Sequence, residues 1–179
     1  MPKTYPDLRK LEGVVSSKIL NAARQASKTL DELKIRHALI GGLAVGAYGY
    51  PRATKDVDFL IGEEGFEKHG GGVVTFKPGM PIFVNGVVVD VLEDGVVEDQ
   101  IEAPFESGGV PIVDPEALVY LKLRAWRRKD QEDVVQLLKA GLSDKPVRKY
   151  LEALLAEGEI SEDILVRFDE LVGRADDAE

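Results

Sequence analysis

Two aspartates one residue apart, Asp56 and Asp58, stand at the head of an otherwise apolar run, Val57-Asp58-Phe59-Leu60-Ile61. Alternate side chains of an extended strand share a face, so the two carboxylates project the same way, about 6.5–7 Å apart along the strand. Leu60 shares their face, while Val57, Phe59 and Ile61 form an apolar stripe on the other. Carboxylates so placed repel one another unless a cation lies between them. Thirteen residues separate Asp56 from Gly41-Gly42, which follow the apolar strand end Ala38-Leu39-Ile40. Glycines at a strand-to-helix turn let backbone N–H groups and the helix N-terminus face an anion. The combination suggests a divalent metal site beside a turn suited to phosphate.

A third acid, Asp90, stands alone within Val87-Val88-Val89-Asp90-Val91-Leu92. This strand reads as too apolar to be solvated on either face. An ionised carboxylate buried there costs several kcal/mol unless it is paired. No basic residue lies in the strand, so a metal or a distant arginine must answer it, and Asp90 becomes the natural third member beside Asp56 and Asp58.

The elements that must position these acids can be read in order. Leu8 to Leu33 carries apolar residues near helical spacing, with Gly13 as a weak point, and predicts one long amphipathic helix or two short ones. Ile35 to Ile40 is the first strand, with His37 as a half-buried structural residue. Gly62 to Gly72 is polar and glycine-rich and reads as a loop, mobile at Gly70-Gly71-Gly72. Val73 to Phe76 and Pro81 to Val84 read as strand pieces, and Asn85-Gly86 is a hairpin signal. Glu93 to Gly109 is an acidic loop and Val110 to Val113 a short strand. Asp114 caps a helix with Pro115 at its first position. Helices over Glu116–Trp126, Lys129–Ala140, Val147–Ala156 and Ile160–Val172 follow, with a frayed end from Arg174. The fold class is therefore α/β (α+β): a small mixed β-sheet flanked by helices over residues 1–114, with a helical part over 115–179 packed on it.

Composition narrows the chemistry. There is no cysteine among the 179 residues, which removes disulfides, thiolate metal sites and cysteine nucleophiles. His37 and His69 are the only histidines, too few for a histidine-rich metal site. No apolar run reaches the roughly 18–20 residues of a membrane span and no signal-peptide pattern opens the chain, so a cytoplasmic protein without a membrane partner is the expectation. A net charge of −9 argues against broad nonspecific binding of nucleic acid. The charge is uneven, since Lys122, Arg124, Arg127, Arg128 and Lys129 form a basic cluster that leaves room for a local anion site.

Gly41-Gly42, then Asp56-Val57-Asp58, then Val89-Asp90-Val91 together resemble the motif set of the polymerase-β-type nucleotidyltransferase superfamily. Within it, GGLAVGAYGYPRATKDVDFLI looks like the AbiEii-type toxin nucleotidyltransferases, as does VPIVDPEALVYLKLRAWRRKDQEDVVQLLK over Val110 to Lys139. The resemblance covers roughly residues 35–140. It departs from many superfamily members at Gly42, where they carry a serine whose hydroxyl helps hold phosphate.

The resemblance implies a nucleotidyltransferase fold and a two-metal mechanism, with Asp56, Asp58 and Asp90 holding two Mg²⁺ ions, or Mn²⁺ in their place. It implies an NTP donor whose triphosphate is cradled by Gly41 and Gly42 and touched by Arg52, Thr54 and Lys122. An NMP would pass to a hydroxyl of a tRNA 3′ end, a protein or a small molecule, and a cognate antitoxin would be a partner if the chain is a toxin. The rival expectation is a non-catalytic nucleotide-binding or partner-binding module of the same fold. Plain structural readings stand beside these: Lys122 as a surface lysine, Arg52 and Thr54 as loop braces, Asp130 as a helix cap, and Asp133 as a partner orienting Lys122 or a loop arginine. Arg127, Arg128 and Lys129 read as an exposed helix end or an RNA contact, and Trp126 and Tyr48 as packing.

Overall fold

A computed structural model describes residues 6–98, 101 and 109–177. Its strands are β1 (His37–Ile40), β2 (Val57–Ile61), β3 (Phe66–Lys68), β4 (Val74–Phe76), β5 (Phe83–Val84) and β6 (Val87–Leu92). Its helices are α1 (Ser17–Glu32), α2 (Gly41–Ala47), α3 (Pro115–Ala125), α4 (Arg128–Lys139), α5 (Asp144–Ala156) and α6 (Glu162–Asp176). The chain divides into two compact units, Met1–Ala47 with Pro51–Val113, and Tyr48–Tyr50 with Asp114–Glu179. No helix among the described residues is long and apolar enough to cross a membrane.

In the first unit, β1, β2, β6 and β5 form a mixed sheet in that order. β2 is antiparallel to β1 and parallel to β6, and β5 is antiparallel to β6. The β5–β6 turn is Asn85-Gly86, with φ of 51° and 76°. Two successive positive φ values define the hairpin turn that Asn-Gly favours. Ile112 adds a single parallel bridge to Leu39 at the β1 edge, the remnant of the strand expected over Val110–Val113.

The two faces of this sheet differ. One carries Val57, Phe59, Ile61, Val87 and Val89, all buried. α1 covers it: Ser27 Oγ of that helix lies 2.7 Å from His37 Nε2 on β1, and the His37 ring meets Phe59 edge-on at 5.5 Å. His37 is thus fully buried rather than half-buried. A carbonyl can only accept, so the 2.9 Å contact with Ile35 O puts the ring proton on Nδ1, leaving Nε2 to accept from Ser27. The imidazole stays neutral because burial lowers its pKa, outweighing the carbonyl and Asp31 nearby.

The other face is only half covered. Leu60 and Ala38 are buried on it, while Val88, Asp90 and Leu92 of β6 are exposed. The expectation of a strand buried on both faces therefore fails. β6 has only the two-residue β5 on its outer side, too short to bring a covering element over its second face. The cost assigned to an unpaired Asp90 disappears with it, since a solvated carboxylate needs no partner.

The helical N-terminal stretch resolves into a 3-10 turn over Leu8–Leu11 and α1, broken at Gly13, whose φ of 89° a helix cannot accommodate. The stretch Gly62–Gly72, read as loop, contains β3, which pairs with β4 through Phe66–Phe76 ring contact at 5.4 Å. The aromatic cross-strand pair outweighs the weak strand preference of Glu67 and Lys68.

The second unit is helical, with α3, α4, α5 and α6 packed on one another through Leu118, Leu123, Val134, Leu151, Phe168 and Leu171. Asp114 takes the N-cap position of α3 and Pro115 the first helical one. α3 ends at Trp126 with a φ of 51°, and the left-handed residue lets α4 begin two residues later.

Candidate functional site

Register brings the acids of the sheet together. In the parallel β2–β6 ladder Asp58 is the partner of Asp90, so their side chains project from one face of neighbouring strands about 4.8 Å apart. Asp58 also pairs with Ile40, the last residue of β1. The chain must then turn at Gly41 directly over the Asp58 side chain. Gly41 has a φ of 69°, and a Cβ built on it would collide with Asp58 Oδ2 and lie 3.0 Å from its Cγ. Two independent demands, a left-handed backbone and the absence of a side chain, require glycine there.

The next glycine meets different atoms. A Cβ on Gly42 would lie 3.1 Å from Thr54 Oγ1 and 3.2 and 3.3 Å from Arg52 Nη1 and Nη2. The Arg52 guanidinium and the Thr54 hydroxyl therefore rest over the Gly42 Cα. Both come from the loop 51–56, braced by Arg52 Nη1 donating to Ala53 O and Thr54 Oγ1 donating to Asp56 O, each at 3.4 Å. Gly41, Gly42, Arg52, Thr54, Asp58 and Asp90 thus form one constellation in the first unit. It holds a guanidinium, a hydroxyl and two carboxylates around a turn without side chains.

Asp56 stands apart. It precedes β2, outside the ladder, and is exposed. Among the described residues no group of three or more His, Asp or Glu side chains is gathered closely enough to hold a metal ion. The donor set that does stand together, Asp58 with Asp90, suits magnesium, which takes hard oxygen ligands and commonly uses one or two carboxylates with substrate phosphates and water completing the octahedron.

Lys122 belongs to the second unit and is not a surface lysine. Its side chain is 9% exposed, and its Nζ donates to Asp130 Oδ1 at 3.0 Å and Asp133 Oδ2 at 2.9 Å. Asp130 also accepts from Arg127 Nε at 2.7 Å and from the Arg127 backbone N–H at 3.3 Å, closing the first turn of α4. Burial pushes the Asp130 pKa up, but Arg127 and Lys122 outweigh it and hold the carboxyl below its usual range. Trp126 lies under the Arg167 guanidinium at 5.2 Å, in the packing role read for it from the sequence.

Sequence reasoning missed one charged cluster. Arg36 donates from Nε to Glu64 at 2.8 Å and from Nη2 to Glu64 and Glu98, each at 3.1 Å, fastening the loop after β2 to the start of β1. Only the alternation of Arg36 with the acids of a distant loop hints at it.

No family model and no curated protein matches this chain. Among solved structures, it is similar to an antigenic nucleotidyltransferase-like protein from Paracoccidioides brasiliensis, at 17% identity and a TM-score of 0.46, over 87% of this chain and 94% of that one.

Proposed function

We propose that the chain is a nucleotidyltransferase that moves a nucleoside monophosphate from an NTP to a hydroxyl. The observation that supports this best is the Asp58–Asp90 register pair beneath the Gly41 turn. Gly41 and Gly42 admit the triphosphate close to the backbone, and Arg52 with Thr54 donates to its oxygens. Asp90, exposed on the sheet face, takes the proton of the attacking hydroxyl, while Asp58 faces the same phosphorus from β2. The hydroxyl oxygen bonds to the α-phosphorus, the bond to the β-phosphate oxygen breaks, and pyrophosphate leaves. Asp58 and Asp90, with Asp56 from the loop before β2, would hold magnesium, which would supply charge neutralisation on the triphosphate.

Lys122 stays outside this phosphate set. Its ammonium has two buried carboxylate partners, and a phosphate would have to displace them. Its task is to hold the α3–α4 corner.

Titration of the protein with Mg–ATP, Mg–GTP, Mg–CTP and Mg–UTP, followed calorimetrically, tests the binding step. Asp58→Asn and Asp90→Asn should each weaken the preferred nucleotide by tenfold or more, about 1.4 kcal/mol. Unchanged affinity in both variants would remove the site. Transfer of α-labelled nucleotide, lost in Asp90→Asn, tests the chemistry. The exposed position of Asp56 favours a second reading, a nucleotide-binding module without transfer, which predicts binding with no label on any acceptor. A toxin role rests on the resemblance of residues 41–61 and 110–139. It predicts growth arrest on expression that Asp58→Asn relieves.

A further inference from the structure

The half-covered sheet face carries more than acids. Val88 and Leu92 lie two residues either side of Asp90 on β6 and are 37% and 41% exposed. Val88 is the register partner of Phe83 on β5, which is 71% exposed and on the same face. Asp90 therefore sits in the middle of an apolar shelf, with hydrocarbon about 7 Å away along the strand in both directions. Neither β5 nor β6 contains a lysine or arginine.

Resting on the nucleotidyltransfer reading, we propose that this shelf is the acceptor site and that the acceptor is an uncharged small molecule, an alcohol or phenol with an apolar, flat body. Its ring or chain rests on Phe83 and Val88, and its hydroxyl reaches Asp90. The polarity matches: β5 and β6 present one carboxylate and no lysine or arginine, which fits a body with a proton donor and no anion. A nucleic-acid acceptor would bring phosphates to strands without a cation. Three partly exposed side chains also fall well short of the roughly 800 Å² per partner typical of protein–protein contacts. In the transfer, the acceptor oxygen bonds to the α-phosphorus, its proton passes to the Asp90 carboxylate, and pyrophosphate departs from the donor NTP.

The test is methyl NMR of the protein labelled at Val and Leu, titrated with 4-ethylphenol and, separately, with glucose as a polar hydroxyl compound. The methyls of Val88 and Leu92 should shift with 4-ethylphenol and not with glucose. Phe83→Ser should weaken that response about tenfold. Phe83 is exposed enough for the substitution to leave folding intact, and Phe76→Ser, which removes the Phe66 contact in the separate β3–β4 hairpin, should leave the response of the Val88 and Leu92 methyls unchanged. No shift of these methyls, an equal response to glucose, or labelling confined to RNA or protein and unaffected by Phe83→Ser would overturn the proposal. A phenol response in a protein that binds no Mg–NTP would sink the nucleotidyltransfer reading while leaving the shelf as a binding surface.

Discussion

Gly41→Ala is the sharpest perturbation the site offers. At a φ of 69° an alanine sits in the left-handed region, which costs about 1–2 kcal/mol for a residue with a Cβ. The new methyl would also occupy the space of Asp58 Oδ2, so the carboxylate must rotate away. Holding a side chain off its rotamer costs about 0.5–1.5 kcal/mol. The total is about 1.5–3.5 kcal/mol, a fall in Tm of about 3–14 °C for a chain of this size. Only the second part depends on Asp58. In an Asp58→Ala background, Gly41→Ala should cost about 1–2 kcal/mol, so a double-mutant cycle should return a coupling of about 0.5–1.5 kcal/mol. The assay is urea unfolding of the four proteins followed by circular dichroism, with Mg–NTP affinity measured on the same samples. Gly41→Ala should also lose nucleotide affinity, since it moves a carboxylate of the pair. A coupling indistinguishable from zero would refute the claim that the turn and Asp58 occupy one space. Full stability in the single variant would refute the backbone argument as well.

Gly42→Ala should behave differently: its Cβ meets only the ends of Arg52 and Thr54, which can move, so Tm should fall little while nucleotide affinity drops. Lys122→Met leaves Asp130 and Asp133 buried without their shared cation and should cost about 3–5 kcal/mol, read by urea unfolding, with nucleotide affinity of the folded protein unchanged. Asp130 has a folded pKa below its unfolded value, so its contribution is present above the unfolded pKa near ~4 and is lost as pH falls through the folded value. The gap between wild type and Lys122→Met should therefore narrow on acidification below about pH 4. His37 is the opposite type of group with a lowered pKa: the neutral ring is favoured when folded, so stability is full above the unfolded value of about 6.5 and declines as pH falls below it. His37→Gln should flatten the stability profile between about pH 6.5 and 5 at the expense of the ring's packing on Phe59.

The acids were legible because strand alternation and glycine punctuation are local signals. Gly41, Asp58 and Asp90 could each be named from their neighbours, and the Asn85-Gly86 turn from two residues. What stayed hidden depends on partners far along the chain. The exposure of Asp90 is decided by how little of the described chain covers that face of β6, and nothing in Val87–Leu92 reports that. β3 exists because Phe66 meets Phe76 across a hairpin, whereas Glu67 and Lys68 argue locally for a loop. Lys122 reads as a surface residue until α4 folds back and presents Asp130 and Asp133 to it. The spacing of those two acids was visible, but not that both would point at one ammonium.

The parallel pairing of β2 with β6 also fixes when the site can exist. An antiparallel pair can zip outward from a two-residue turn, but parallel neighbours must wait for a long connection to close. Asp90 therefore does not stand beside Asp58 until the chain through Leu92 has been made and β6 has docked in register. Loop closure of that length is slow compared with hairpin or helix formation. During synthesis the glycine turn and Asp58 emerge first, as half of the constellation that Asp90 later completes. Transfer of the kind proposed above would be withheld from the growing chain by topology alone.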